Sequence, residues 1–160
     1  MDRCTLQIVD TGGQDAIPEL RHQWIRDGEG FLLVYSISCR ESFSKIEELH
    51  RQILEVKGWI DSQPAVPIAI VGNKIDRTTE REVGTRDGRG LARKLGIMLV
   101  EASAKNATNV EEAFYVVIRT LRMRQRAASG NKRPQEEENG AGGDLERDRR
   151  QENGCGCIVL

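Results

Sequence analysis

The stretch Phe31-Leu-Leu-Val-Tyr-Ser-Ile37 constrains the fold more than any other. It is an almost unbroken apolar run, of the kind found in a strand whose two faces are both buried. Such strands belong to parallel sheets with helices on each side. Ile68-Ala-Ile-Val71, preceded by Pro67 and closed by Gly72, repeats the pattern. Between the two runs Phe43, Ile46, Leu49, Ile53, Val56 and Ile60 recur at helical spacing, behind a Ser38/Glu41 pair spaced as a capping box. Strand, helix and strand in that order predict a crossover unit, hence an α/β fold with a mostly parallel sheet flanked by helices.

The remaining segments extend the alternation. Cys4 to Val9 half alternates like a strand with one well-buried face, and Pro18 to Asp27 reads as a short helix. Leu91 and Leu95 sit on a helix expected to end at Gly96, before a strand from Ile97 to Val100. Thr108 and Glu111 form a second capping-box pattern ahead of Val110, Ala113, Phe114, Val117 and Leu121, the last helix. At 160 residues with 38% hydrophobic content, one domain with a core is expected. A net charge of -1 carries no footprint for nucleic acid. No apolar run is long enough to span a bilayer and Met-Asp-Arg does not begin a secretory signal, so the body is expected inside the cell. There Cys4 and Cys39 read as buried reduced thiols. His22 and His50 lack partners at ligand spacing and read as surface or boundary residues, while Trp24 and Trp59 read as packing.

Three polar stretches each follow a predicted strand, where loops of such sheets carry function. In Asn73-Lys-Ile-Asp76 a carboxylate at Asp76 can accept from the ring N1–H and exocyclic amine of guanine together; adenine would set an acceptor against that charge. Asn73 can tie the loop down and approach the N7 edge, and the Lys74 stem can cover the base. Ser103-Ala104-Lys105 can complete a base pocket with a backbone N–H for O6 and a lysine over the ring. Asp10-Thr-Gly-Gly-Gln14 offers a carboxylate for magnesium through water, a glycine N–H for a terminal phosphate and a glutamine to orient water. Each pattern alone also suits a polar surface loop. All three in this order, each behind its own strand, do not.

Together with Gly28-Glu-Gly-Phe-Leu, these motifs resemble the Ras-type small GTPases from about Arg3 to Arg126, in the Ras branch rather than Rho or Rab. The resemblance implies a P-loop NTPase-like G domain that binds GTP or GDP with magnesium and acts as a switch in signal transduction. It makes Gln14 the catalytic residue and Asp10 the metal-binding one. Nucleotide contacts fall to Asp10, Gly13, Asn73, Lys74, Asp76, Ser103, Ala104 and Lys105. An exchange factor, a GTPase-activating protein and an effector are the implied partners. The second switch corresponds to Thr11 through about Asp27, with Gly12 where the family usually has alanine; the extra glycine makes an ordered switch costlier.

In the family the glycine-rich phosphate loop and the first switch lie upstream of the strand at Cys4, and no G-x-x-x-x-G-K-[ST] occurs in this sequence. The resemblance therefore implies a partial G domain over residues 1–126, lacking the first strand, first helix and second strand. That first strand would stand between the strands at Cys4 and Phe31. A central strand buries about five apolar side chains at roughly 1.5 to 3 kcal/mol each, comparable with the ~5 to 15 kcal/mol stability of a whole domain. An opened core and impaired GTP binding are the expectation. The alternative function is a membrane-tethered interaction module without catalysis.

Residues 127–160 are rich in Gly, Asn, Glu and Arg and are expected to be disordered. They end in Cys157-Ile-Val-Leu160, a C-a-a-X pattern whose leucine points to a geranylgeranyl group on Cys157. One lipid binds reversibly, and the tail's basic residues are diluted by acidic ones, so palmitoylation of Cys155 is the expected second signal. The expected location is the cytoplasmic face of the plasma membrane.

Overall fold

The computed structural model describes residues 5–11, 18–58, 66–129 and 155–159. Its elements are β1 (Leu6–Asp10), α1 (Pro18–Asp27), β2 (Gly30–Ser36), α2 (Arg40–Ser44), α3 (Ile46–Val56), β3 (Ile68–Asn73), α4 (Thr85–Leu95), β4 (Met98–Glu101), α5 (Val110–Ser129) and β5 (Cys155–Val159). The five strands form one sheet in the order β1-β5-β2-β3-β4, and every adjacent pair is parallel.

The two central apolar runs divide their side chains between two cores. Phe31, Leu33, Tyr35, Ile68 and Ile70 pack with Ile25, Ile46, Ile53 and Ala92. Leu32, Ala69 and Val71 pack with Ala113, Val116, Val117 and Leu121 of α5. The period of two along each strand thus sends alternate residues to opposite helical layers. Burial at Ile46, His50 and Ile53 marks the inward stripe of α3. A Cβ on Gly30 would lie 2.4 Å from Val117 Cγ1, so a side chain there would hold α5 off the sheet. Gly96, at φ 69°, closes α4 in the left-handed conformation expected of a terminal glycine.

Neither capping box closes. Cys39, not Ser38, precedes α2 and makes no side-chain cap, while Ser38 Oγ lies 3.0 Å from Ser36 Oγ. The long predicted helix is interrupted at Lys45, which keeps right-handed dihedral angles. Ile60 and Trp59 lie outside the described residues. Thr108 is drawn away from α5 because its backbone exchanges two hydrogen bonds, both 3.0 Å, with Ser103.

The expected tail is corrected at both ends. α5 continues to Ser129, and Cys155–Val159 is a strand. It fills the position between β1 and β2 that the resemblance left vacant, pairing with five residues of β1 and with Gly30, Phe31 and Leu32 of β2. No helix among the described residues is long and apolar enough to cross a membrane.

Candidate functional site

The carboxyl ends of β3 and β4 bring two of the three polar stretches together. Gly72 C=O accepts from the Ala102 N–H at 2.9 Å and Ala102 C=O accepts from the Ile75 N–H at 3.2 Å, lacing the two loops side by side. Asn73 then ties them with its side chain: Oδ1 accepts from the N–H of Lys74 at 2.7 Å and of Ala104 at 3.2 Å. Lys74 turns the chain back at φ 68°, the left-handed region. The Ser103 hydroxyl, fully buried, donates to Asp76 Oδ1 at 2.6 Å and accepts from the Asn106 N–H at 3.1 Å. That hydrogen bond chiefly holds the Asp76 carboxyl below the usual carboxylate range, with Lys105 and Arg77 helping. Asp76 is ionised at neutral pH.

The stretch Ser103-Ala104-Lys105 was expected to offer a backbone N–H to guanine O6; of its amides, that of Ala104 donates to Asn73, so a base that uses it must share or displace that bond. Asn73 Oδ1 fastens the loop as expected, which leaves Nδ2 as the group suited to an N7 acceptor.

Asp10, at the end of β1, lines a cavity of about 440 Å³ with Asn73 and Ala104, against apolar Leu32, Val34, Val71 and Phe114. The first loop therefore shares a space with the other two. Asp76 and Lys105 do not line it; Asp76 is held beside it by the Ser103 hydroxyl. Gly12, Gly13 and Gln14 lie outside the described residues, as does Cys4. Among the described residues no three metal-ligating side chains cluster. A single carboxylate such as Asp10 suits a magnesium ion that takes its other ligands from phosphate and water.

Sequence reasoning missed the hinge of the second loop. Ala107 and Asn109 both have φ 55°, and Asn109 Nδ2 donates to Glu101 C=O at 2.9 Å, fixing the loop to the end of β4. The signal was present in Asn106-Ala-Thr-Asn109, since asparagine tolerates this conformation. Expectations for two other residues also change. His50 is buried in α3, which lowers its pKa despite nearby Glu47. Cys39 is a free thiol, only partly buried.

The Ras family model matches residues 1–123. The chain belongs to the Ras family. It is 54% identical over 140 residues to Ras-like protein 1 of Pyricularia oryzae, covering 79% of this chain and 58% of that protein. It is 49% identical over 145 residues to protein ras-2 of Neurospora crassa, covering 81% and 63%. Ras-like protein B of Aspergillus fumigatus is 42% identical over 164 residues, covering 91% and 69%. The chain thus spans about three fifths of the first two relatives' length. The α/β architecture of parallel strands between helical layers is the G-domain fold of this family.

Proposed function

We propose that this Ras-family protein is a GTP/GDP-dependent signalling switch, and that the loops after β3 and β4 form its guanine-recognition half. The carrying observation is the Ser103–Asp76 hydrogen bond beside the Asn73–Ala104 tie, which presents an ionised carboxylate from a laced pair of loops. Asp76 would accept from the N1–H and amine of guanine, and Asn73 Nδ2 would donate to N7. Lys74 and Lys105 would cover the ring with their stems. Asp10 would hold magnesium through water, and the ion would supply charge neutralisation at the phosphates. Gly13 and Gln14 keep the family roles of sensing the terminal phosphate and orienting water, with an arginine from a GTPase-activating partner. Exchange factor and effector complete the partner set. Attachment to the cytoplasmic face of the plasma membrane would use a geranylgeranyl group on Cys157 and palmitate on Cys155.

The 160-residue chain contains no Walker-type phosphate loop, so taken alone it would recognise the base and hold phosphate poorly. Amide spectra of the purified chain titrated with guanosine and adenosine separate the two parts. Guanosine at millimolar concentration should shift the Lys74, Ala104 and Lys105 resonances while adenosine leaves them unmoved. Equal response to both nucleosides would refute base recognition, and submicromolar magnesium-dependent GTP binding would refute the impairment.

A further inference from the structure

α3 carries a histidine that the nucleotide site does not use. His50 is 9% exposed and its ring makes no hydrogen bond to a described residue; the charge that bears on it is that of Glu47, one turn earlier. The ring is buried without being sealed. Tyr35 Oη is the only enclosed side-chain polar atom without a partner among the described residues, so both ring nitrogens of His50 reach accessible space. That space is a hollow of about 620 Å³ between α3 and Leu95 at the end of α4, which His50 lines with Glu47, Glu48, Arg51 and Glu55. The rim sets three carboxylates against one guanidinium. Arg51 is already paired with Glu55 at 2.5 Å, Glu48 accepts from the neutral Gln52 amide at 3.0 Å, and Glu47 is held by Lys94 of α4 at 2.6 Å. Glu47 and His50 are three residues apart on α3, which sets their Cβ atoms about 5 to 6 Å apart on one face. A carboxylate and an imidazole at that spacing form a pair with which helices hold transition metals.

We propose that Glu47 and His50 form a binding site for a divalent metal of the zinc class. The donor set decides the class: an imidazole nitrogen with a carboxylate oxygen suits zinc, whereas magnesium and calcium take oxygen ligands. A His50 ring nitrogen and a Glu47 oxygen fill two of about four tetrahedral positions, and water fills the others. No third metal-ligating side chain joins them among the described residues, so the ion is exchangeable and is not a structural staple. To ligate, Glu47 must let go of Lys94. Both members of that ion pair are exposed, and an exposed pair is held weakly. Zinc thus trades a clasp between α3 and α4 for a bridge within α3. The hollow shares no lining residue with the cavity of Asp10, Asn73 and Ala104, so zinc and nucleotide do not compete for ligands.

The chain has two histidines, and the second serves as the control. His22 stands exposed on α1. Ring-nitrogen spectra of the isotope-labelled full chain, titrated with zinc chloride and separately with magnesium chloride, read the two residues apart. Both rings meet the same free zinc, so metal held by thiols elsewhere leaves the comparison intact. Zinc should shift a His50 ring nitrogen at a concentration at least about tenfold below that needed for His22, while magnesium moves neither. Glu47→Gln should raise the concentration needed at His50 at least about tenfold and leave His22 unchanged. Lys94→Gln removes the competing ammonium and should lower it about threefold. Both substitutions fall at exposed helix positions, so the fold survives them. Equal zinc responses at the two histidines would reduce His50 to a lone imidazole and overturn the site. A His50 response to magnesium as large as that to zinc, or one unchanged by either substitution, would overturn it as well.

Discussion

Tyr35 is the largest fully buried side chain among the described residues. It is 1% exposed, and its hydroxyl has no hydrogen-bond partner among the described residues. Two glycines make room for it: a Cβ at Gly72 or Gly88 would lie 2.8 or 2.7 Å from Tyr35 Oη. Burial pushes the phenol up to about 12, with Glu101 and Asp87 adding and Arg81 opposing. The folded pKa therefore lies above the ordinary value of 10.0. Stability from keeping the phenol neutral is full below pH 10 and is lost as pH rises toward 12, in all about 2 to 3 kcal/mol. Tyr35→Phe should flatten that alkaline decline and, by removing an unsatisfied hydroxyl, match or exceed the parent at pH 8 by about 1 kcal/mol. Urea unfolding of both proteins at pH 8 and pH 11.5 checks this; parallel alkaline losses would contradict it. Gly88→Ala should destabilise by about 1 to 3 kcal/mol, although alanine is the better helix former, because its Cβ strikes Tyr35 Oη and Leu99. Adding Tyr35→Phe should recover part of that loss, a coupling readable in a double-mutant cycle.

At the scale of elements, the site depends on two strand ends being held as one. Asn73 is the tie, and Asn73→Ala would leave the Lys74 and Ala104 amides without their acceptor. The expected loss is about 1 kcal/mol in urea unfolding, with guanosine-induced amide shifts abolished; a variant that loses stability but keeps the shifts would assign Asn73 to the scaffold alone. The elements themselves were legible wherever the sequence pattern was local. β2 and β3 announced themselves by continuous apolar runs, α1 matched its expected bounds of Pro18 and Asp27, and α4 ended at its glycine. The capping boxes misled because Ser38 and Thr108 had competing partners, Ser36 and Ser103, which no spacing rule reports. β5 was illegible for a stronger reason. Cys-Gly-Cys-Ile-Val follows a charged stretch, so its local surroundings argue for disorder, and its strand pairing is decided by residues more than a hundred positions away. Of the site, the shared cavity of Asp10, Asn73 and Ala104 lay within the motifs, whereas the pairing of Asp76 with Ser103 did not. The engagement of the Ala104 amide did not, because it depends on how two loops approach in space.

The whole molecule is built in two grades of firmness. β2 and β3 are buried along almost their full length, with α3 and α4 packed on one face and α5 on the other. β1 has no residue in the buried class, and its Ile8 is 49% exposed. Only Leu6 and Val9 reach the two cores. Each buried aliphatic side chain is worth about 1.5 to 3 kcal/mol, so an edge that commits two partly buried residues is held far less firmly than a strand that commits five. The sheet should therefore open from the β1 side while β2, β3 and α5 stay intact, a sub-global event below the free energy of complete unfolding. Native-state hydrogen exchange in low urea measures it: amides of β1 and β5 should exchange together, at least about 2 kcal/mol below those of β3, a rate ratio near 30. Exchange of β1 as slow as that of β3 would mean a single cooperative unit. If the difference holds, the Asp10 end of the cavity belongs to the part of the molecule that opens, whereas the Asn73 and Ala104 end belongs to the part that stays closed. The loops after β3 and β4 would then persist through an opening that carries Asp10 away from them.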